Sequence, residues 1–114
     1  MTQNRLKTDV WVSAHIRQCH AAGTPAFVLH RGDAERGGLL LKINQFSSGC
    51  RLLQPQTDMD GDRFWMVVSG EAPVDEARAD EMIKKRLAFD TDLWVLEIED
   101  STTSYQPDAP VQHF

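Results

Sequence analysis

LLLKINQFSSGCRLLQPQTDMDGDRFWMVVS, residues 39–69, decides the fold. It holds three apolar runs, Leu39 to Phe46, Cys50 to Gln56 and Arg63 to Ser69, separated only by the turn residues Ser47-Ser48-Gly49 and Asp58-Met59-Asp60-Gly61-Asp62. Short runs rich in Leu, Ile, Val, Phe and Trp, bounded by Ser, Gly and Asp, are strand formers. Connections this short pair consecutive strands antiparallel, so the stretch predicts a meander. A fourth run, Ala26 to Arg31, lies before the turn-rich Gly32 to Gly38 and reads as the first arm of a hairpin with Leu39 to Phe46.

Outward from this block, the spacing changes from two to 3.6. Val12, Ile16 and Cys19 fall at i, i+4 and i+7, with Thr8 or Asp9 available as N-cap and Gly23 as C-cap, which predicts a helix over about residues 9 to 22. On the other side, Ala79, Met82, Ile83 and Leu87 form an apolar stripe behind Asp75 as N-cap, predicting a helix that runs to about Phe89. Leu93 to Ile98 is a last strand, apolar on both faces and therefore central. The expected fold is α+β in the order α-β-β-β-β-α-β, an antiparallel or mixed sheet of about five strands with two helices packed on one face. Residues 1–100 form the single domain. The Ser, Thr, Gln and Pro of 101–114 have little to bury and are expected to be a loosely ordered tail.

The chain has 114 residues, 41% hydrophobic and 25% charged, enough to bury a core without disulfide or metal staples. No apolar run reaches the ~20 residues of a membrane span, and Met1 to Asp9 is too polar for a secretory signal. A cytoplasmic setting is expected, with Cys19 and Cys50 as free, largely buried thiols. The formal charge of −5 hides an asymmetry. Residues 1–57 carry seven Lys and Arg against three Asp and Glu, while 58–114 carry five against fourteen, so the halves stand at +4 and −9. In an interleaved fold those charges neutralise one another; otherwise they leave a basic face.

Several motifs together resemble one family. Val10-Trp11-Val12-Ser13-Ala14-His15, the helix end from Cys19 to Gly23, Pro25-Ala26-Phe27-Val28, Arg31-Gly32-Asp33, Leu41-Lys42-Ile43-Asn44, Asp60-Gly61 and the run Asp92 to Asp100 are similar to the bacterial domain-of-unknown-function family numbered 1491. The resemblance spans about residues 6 to 100. It implies a small, single-domain, cytoplasmic alphaproteobacterial protein with no established activity, cofactor or catalytic residue, so it assigns no site.

The residues themselves offer few constellations. His15 and Cys19, one helical turn apart with His20 beside them, are the only catalytic candidates, either as part of a zinc site or as base and nucleophile. A zinc site needs further ligands from His30, Cys50 or an acidic residue, and no CxxC or HxxxH pair anchors one. The plainer reading is a core thiol with a neighbouring histidine, and no metal or cofactor is expected. Asp58, Asp60 and Asp62 lack the glycine and glutamate positions of an EF-hand and read as a turn. Arg31, Lys42, Asn44 and Arg51 are the binding candidates, as a basic stripe for single-stranded nucleic acid. The net negative charge argues against nucleic acid as a partner, and Lys42, Asn44 and Arg51 read more simply as the wet side of alternating strands. What remains is a non-catalytic binding module whose partner is another protein or a second copy, met through an uncovered sheet face or the acidic second half. The alternatives are a small metal- or thiol-dependent enzyme using His15, Cys19 and His20, and a nucleic-acid binder using the basic first half.

Overall fold

The structure, a computed structural model, describes residues 6–113. Residues 1–5 of the expected domain and residue 114 of the expected tail lie outside the described residues. The chain runs α1 (Thr8–Ala21), β1 (Ala26–His30), β2 (Leu39–Asn44), a 3-10 turn (Phe46–Ser48), β3 (Cys50–Thr57), β4 (Arg63–Val67), α2 (Glu76–Phe89), β5 (Trp94–Glu99) and β6 (Val111–Gln112). The expected order holds, and a short sixth strand follows it.

The helices stop and start for local reasons. Lys7, not Thr8 or Asp9, is the N-cap of α1 and gives it no side-chain bond. The loop at 33–37 supplies the acceptors instead: the Thr8 and Asp9 amides reach the Glu35 and Ala34 carbonyls at 3.3 and 2.9 Å. Gly23, at φ +79°, ends α1 by letting the Thr24 amide fold back on the Cys19 carbonyl at 2.8 Å. At the start of α2 the Asp75 carboxylate accepts the Arg78 amide at 2.8 Å, as its sequence predicts.

One six-stranded mixed sheet results, in the order β1-β5-β2-β3-β4-β6. The meander of β2, β3 and β4 is present, with Leu41 opposite Leu53 and Leu53 opposite Val67. The expected hairpin of β1 with β2 is not. β5 lies between them, antiparallel to β1 with Ala26 opposite Ile98, and parallel to β2 with Leu39 opposite Trp94. Burial explains this: Trp94, Leu96 and Ile98 on one face and Leu93 and Val95 on the other are all buried, and only a central position removes both faces of a strand from water. The count of six rather than five comes from β6, which sets Val111 beside Trp65 of β4.

The helices do not share a face. α1 packs Val12 and Cys19 against Leu41, Ile43, Leu53, Trp65, Leu96 and Ile98, whereas α2 packs Ala79 and Ile83 against Leu40, Leu52, Cys50 and Val95. Neighbouring residues of one strand enter different clusters because successive side chains point to opposite faces. With β2 and β5 apolar on both sides, a single helical layer would leave one set of Leu and Val in water, at a cost of about 1.5–3 kcal/mol per side chain. Beyond Asp100 the chain returns across the α1 face, where Tyr105 and Ala109 pack against that core. Among the described residues no helix is long and apolar enough to cross a membrane.

Candidate functional site

Three places concentrate polar or exposed groups. The first is a cleft of about 330 Å³ between the end of α1 and the returning chain, lined by His15, Gln18, Cys19, Thr24, Tyr105 and Gln106 among others. The helical spacing does bring His15 and Cys19 to one face, as expected, but the groups they meet quiet them. His15 stacks on Trp11 with ring centroids 4.5 Å apart, and its Nε2 lies 2.6 Å from the Tyr105 hydroxyl. Burial lowers the His15 pKa, against an opposing pull from the Asp108 charge. Burial also pushes the Tyr105 phenol far up, with the neighbouring Cys19, Asp108 and Asp100 adding to the rise. The pair is thus a hydrogen bond between two neutral groups. Burial raises the Cys19 thiol as well, which disfavours the thiolate that nucleophilic chemistry or a zinc site requires.

His20 does not join them: its Nε2 donates to the Ala26 carbonyl at 3.0 Å. His30 donates from Nδ1 to the Leu93 carbonyl at 2.8 Å. Cys50 is free and buried like Cys19, but in the α2-side core. Among the described residues no group of three or more His, Cys, Asp or Glu is placed to hold a metal ion. At the Asp58 turn, one carboxylate oxygen accepts the amides of Asp60 and Asp62, each at 2.9 Å, with Gly61 at φ +87°.

The second place lies under α2. Lys42 and Asn44, expected on a wet face, are only 2% and 4% exposed. The Lys42 ammonium meets Glu76 and Asp80 of α2 at 2.8 Å each and Glu97 of β5 at 3.2 Å. The Asn44 amide donates to Glu97 at 3.2 Å and its carbonyl oxygen accepts the Phe46 amide at 2.9 Å. Burial works to lower the lysine's pKa, but the hydrogen bonds it donates to Asp80, Glu76 and Glu97 outweigh it and hold the group well above its ordinary value. An ammonium so held is a fixed cation, not a nucleophile. Here a basic residue of the first half meets acidic residues of the second half in space, one ammonium against three carboxylates. The signal that could have found this cluster is Glu97: in a strand expected to be central, it shares a face with Leu93 and Val95, and a buried carboxylate demands a cation.

The remaining binding candidates are elsewhere. Arg51 stands opposite Ile43 in the β2–β3 ladder, which puts it on the α1 face. Arg31 lies over the Trp94 ring, 5.1 Å from its centroid. The four candidates therefore form no stripe.

The third place is β1. It ends the sheet, with β5 as its only strand neighbour among the described residues. Phe27, Val28 and Leu29 are 40%, 38% and 44% exposed, three consecutive large apolar side chains on an open edge. By register, Phe27 lies opposite Glu97, which lies beside Lys42, so one face of this edge continues into the carboxylate cluster. Sequence reading places this strand but not its exposure, because the hairpin it expects covers the edge.

The family model described as Protein of unknown function (DUF1491) matches residues 6–106. The crystal structure of a DUF1491 family protein from Caulobacter crescentus CB15 is 35% identical to this chain with a TM-score of 0.84, the match covering 95% of this chain and 100% of that one. An NMR structure of a DUF1491 family protein from the same organism gives 34% identity and a TM-score of 0.80, covering 96% and 99%. The solution structure of a protein from A. tumefaciens is 28% identical with a TM-score of 0.70, covering 93% and 100%. No curated protein matches the chain.

Proposed function

The chain belongs to the DUF1491 family of proteins of unknown function, and from that starting point we propose that it is a non-catalytic module that binds another protein by taking an extended segment along β1. The observation that carries this reading is the exposed row Phe27-Val28-Leu29 on a strand edge that no further strand covers among the described residues. Open edges offer unpaired N–H and C=O groups, and an added strand satisfies them while alternate side chains give specificity. Sheets usually blunt such edges with charge or proline; this one carries neither between Ala26 and Leu29. The partner's chemistry follows from the neighbouring cluster, where one ammonium faces three carboxylates. The segment is extended, apolar at alternate positions, and carries a basic residue on the α2 side. Against catalysis stands the quieting of His15, Cys19 and Lys42 described above.

Selection of a displayed random-peptide library on the immobilised protein, followed by amide NMR of the complex, tests the proposal. Extended apolar peptides with a basic residue should emerge, their binding should shift the amides of Ala26 to His30, and the double variant Phe27→Asp/Leu29→Asp should lose them while keeping its thermal midpoint. Failure to select any peptide, or shifts confined to other elements, rejects it.

A further inference from the structure

The opposite edge of the sheet shows what it accepts as an added strand, because the end of the chain is already seated there. Past Asp100 the chain turns through residues 101–104 and runs back over α1 and β4. Its polar contacts with α1 and β4 are with residues more than forty positions away. Tyr105 meets His15 at 2.6 Å. The Asp108 carboxylate accepts the Trp11 indole N–H at 3.0 Å and the Trp65 indole N–H at 2.9 Å, with Arg63 at 3.5 Å. The Trp65 amide donates to the Pro110 carbonyl at 2.7 Å, and Val111 pairs with Trp65 in parallel. Two indoles and a guanidinium around one carboxylate make a groove complementary to an extended segment with a single acidic residue.

The strained part is the connection. Thr103 sits at φ +53°, a left-handed conformation that a β-branched residue resists and glycine accepts. Against that strain, Asp100 Oδ1 accepts the Ser104 and Tyr105 amides at 2.9 and 3.1 Å, holding the turn closed.

We infer that residues 104–112 are exchanged between two copies of this chain, each tail seated in the other molecule's groove of Trp11, His15, Arg63 and Trp65. Any second copy carries both the groove and the segment that fits it, so every contact across the groove is kept on exchange. What changes is the connection: Thr103 leaves the left-handed region, while the Asp100 bonds and the freedom of two separate molecules are lost. The balance is set by concentration and by the backbone at residue 103. In the exchanged pair the cleft at His15 is completed by the other copy's Tyr105, so each cleft is built from two chains.

Two substitutions push the balance in opposite directions. Proline is fixed near φ −65° and cannot adopt the closed turn, whereas glycine takes it without strain. Light scattering after size separation should show a dimer fraction that grows with concentration in the wild type and predominates in Thr103→Pro, and an association constant that falls about tenfold per chain, about a hundredfold for the pair, in Thr103→Gly, the scale on which left-handed strain separates threonine from glycine. Isotope-labelled and unlabelled Thr103→Pro, briefly acidified together and returned to neutral pH, should give mixed dimers by native mass spectrometry. A Thr103→Pro chain that stays monomeric at every concentration overturns the inference. Should that variant not fold, the wild type and Thr103→Gly decide alone, and equal dimer fractions in the two overturn it.

Discussion

Lys42 is the residue on which α2 depends. Among the described residues its ammonium is the one cation paired with Glu76, Asp80 and Glu97, and Glu97 is itself buried. Lys42→Met keeps the length and apolar stem but leaves the carboxylates facing one another. Removing one partner of a buried ion pair costs about 3–5 kcal/mol; here about 3 kcal/mol is expected, because Glu76 and Asp80 are half in water and can be solvated there. Urea unfolding measures it, and a variant as stable as the wild type would show that the cluster does not hold the helix. Sequence alternation placed Lys42 and Asn44 outward because polar residues on a strand usually face water. It erred here because the solvent that solvates them was replaced by carboxylates from an element more than thirty residues away, a match no local pattern encodes. His15 and Cys19 show the reverse case. Their shared face is legible from the i, i+4 spacing, while the tyrosine that meets the imidazole lies ninety positions on, in a stretch whose Ser, Thr, Gln and Pro predict a loose tail.

At the scale of elements, the returning segment is tied down by groups whose protonation matters. His15 is held below its ordinary pKa, first by burial. For Asp108 burial acts upward, but the hydrogen bonds from Trp65 and Trp11 and the charges of Arg63 and His15 outweigh it, and its pKa is lowered. Both folded values lie below the unfolded ones, so the folded state binds these protons less readily than the unfolded chain. The contribution of His15 is therefore fully present above about pH 6.5 and lost as the pH falls through its lowered folded value; that of Asp108 is fully present above about pH 3.8 and lost as the pH falls through its own lowered value. Tyr105 and Cys19, also in contact with this region, stay neutral throughout that range. Acidification should loosen residues 104–112 before it melts the sheet. Protection of the Tyr105 and Val111 amides, corrected for the intrinsic exchange rate, should fall between pH 7 and about pH 2 while that of Leu41 and Leu96 does not, and Asp108→Asn should flatten the part of this response below about pH 3.8. Uniform acceleration across all four amides would place the weakness in the sheet instead. The meander was legible in the sequence because Ser47-Ser48-Gly49 and Asp60-Gly61 fix it locally. The pairing of β1 was not, since its partner lies some seventy residues away and only the two-sided apolar character of Leu93 to Ile98 hints that another strand must be displaced.

For the whole molecule, one sheet separates two cores, each closed by its own helix. Both cores share β2 and β5, so neither can open without exposing the back of the other. Leu96→Ala, on the α1 side, should cost about 2–5 kcal/mol. It should also shift the loss of helix, followed by circular dichroism, and the loss of tryptophan burial, followed by fluorescence, to the same lower urea concentration. Separate transitions would mean that the α2 side stands by itself. The order of the sheet carries a further consequence, for synthesis. β1 and β2 leave the ribosome early, but the strand that joins them is the fifth of six, made only after α2. Until residues 94–99 emerge, the nascent chain has two apolar strand edges waiting for a partner it does not yet possess, and parallel pairing across such a gap is slow. A chain stalled before residue 94 exposes those edges to its neighbours on the same messenger, so for this protein the hazard of misassembly lasts until β5 has been made.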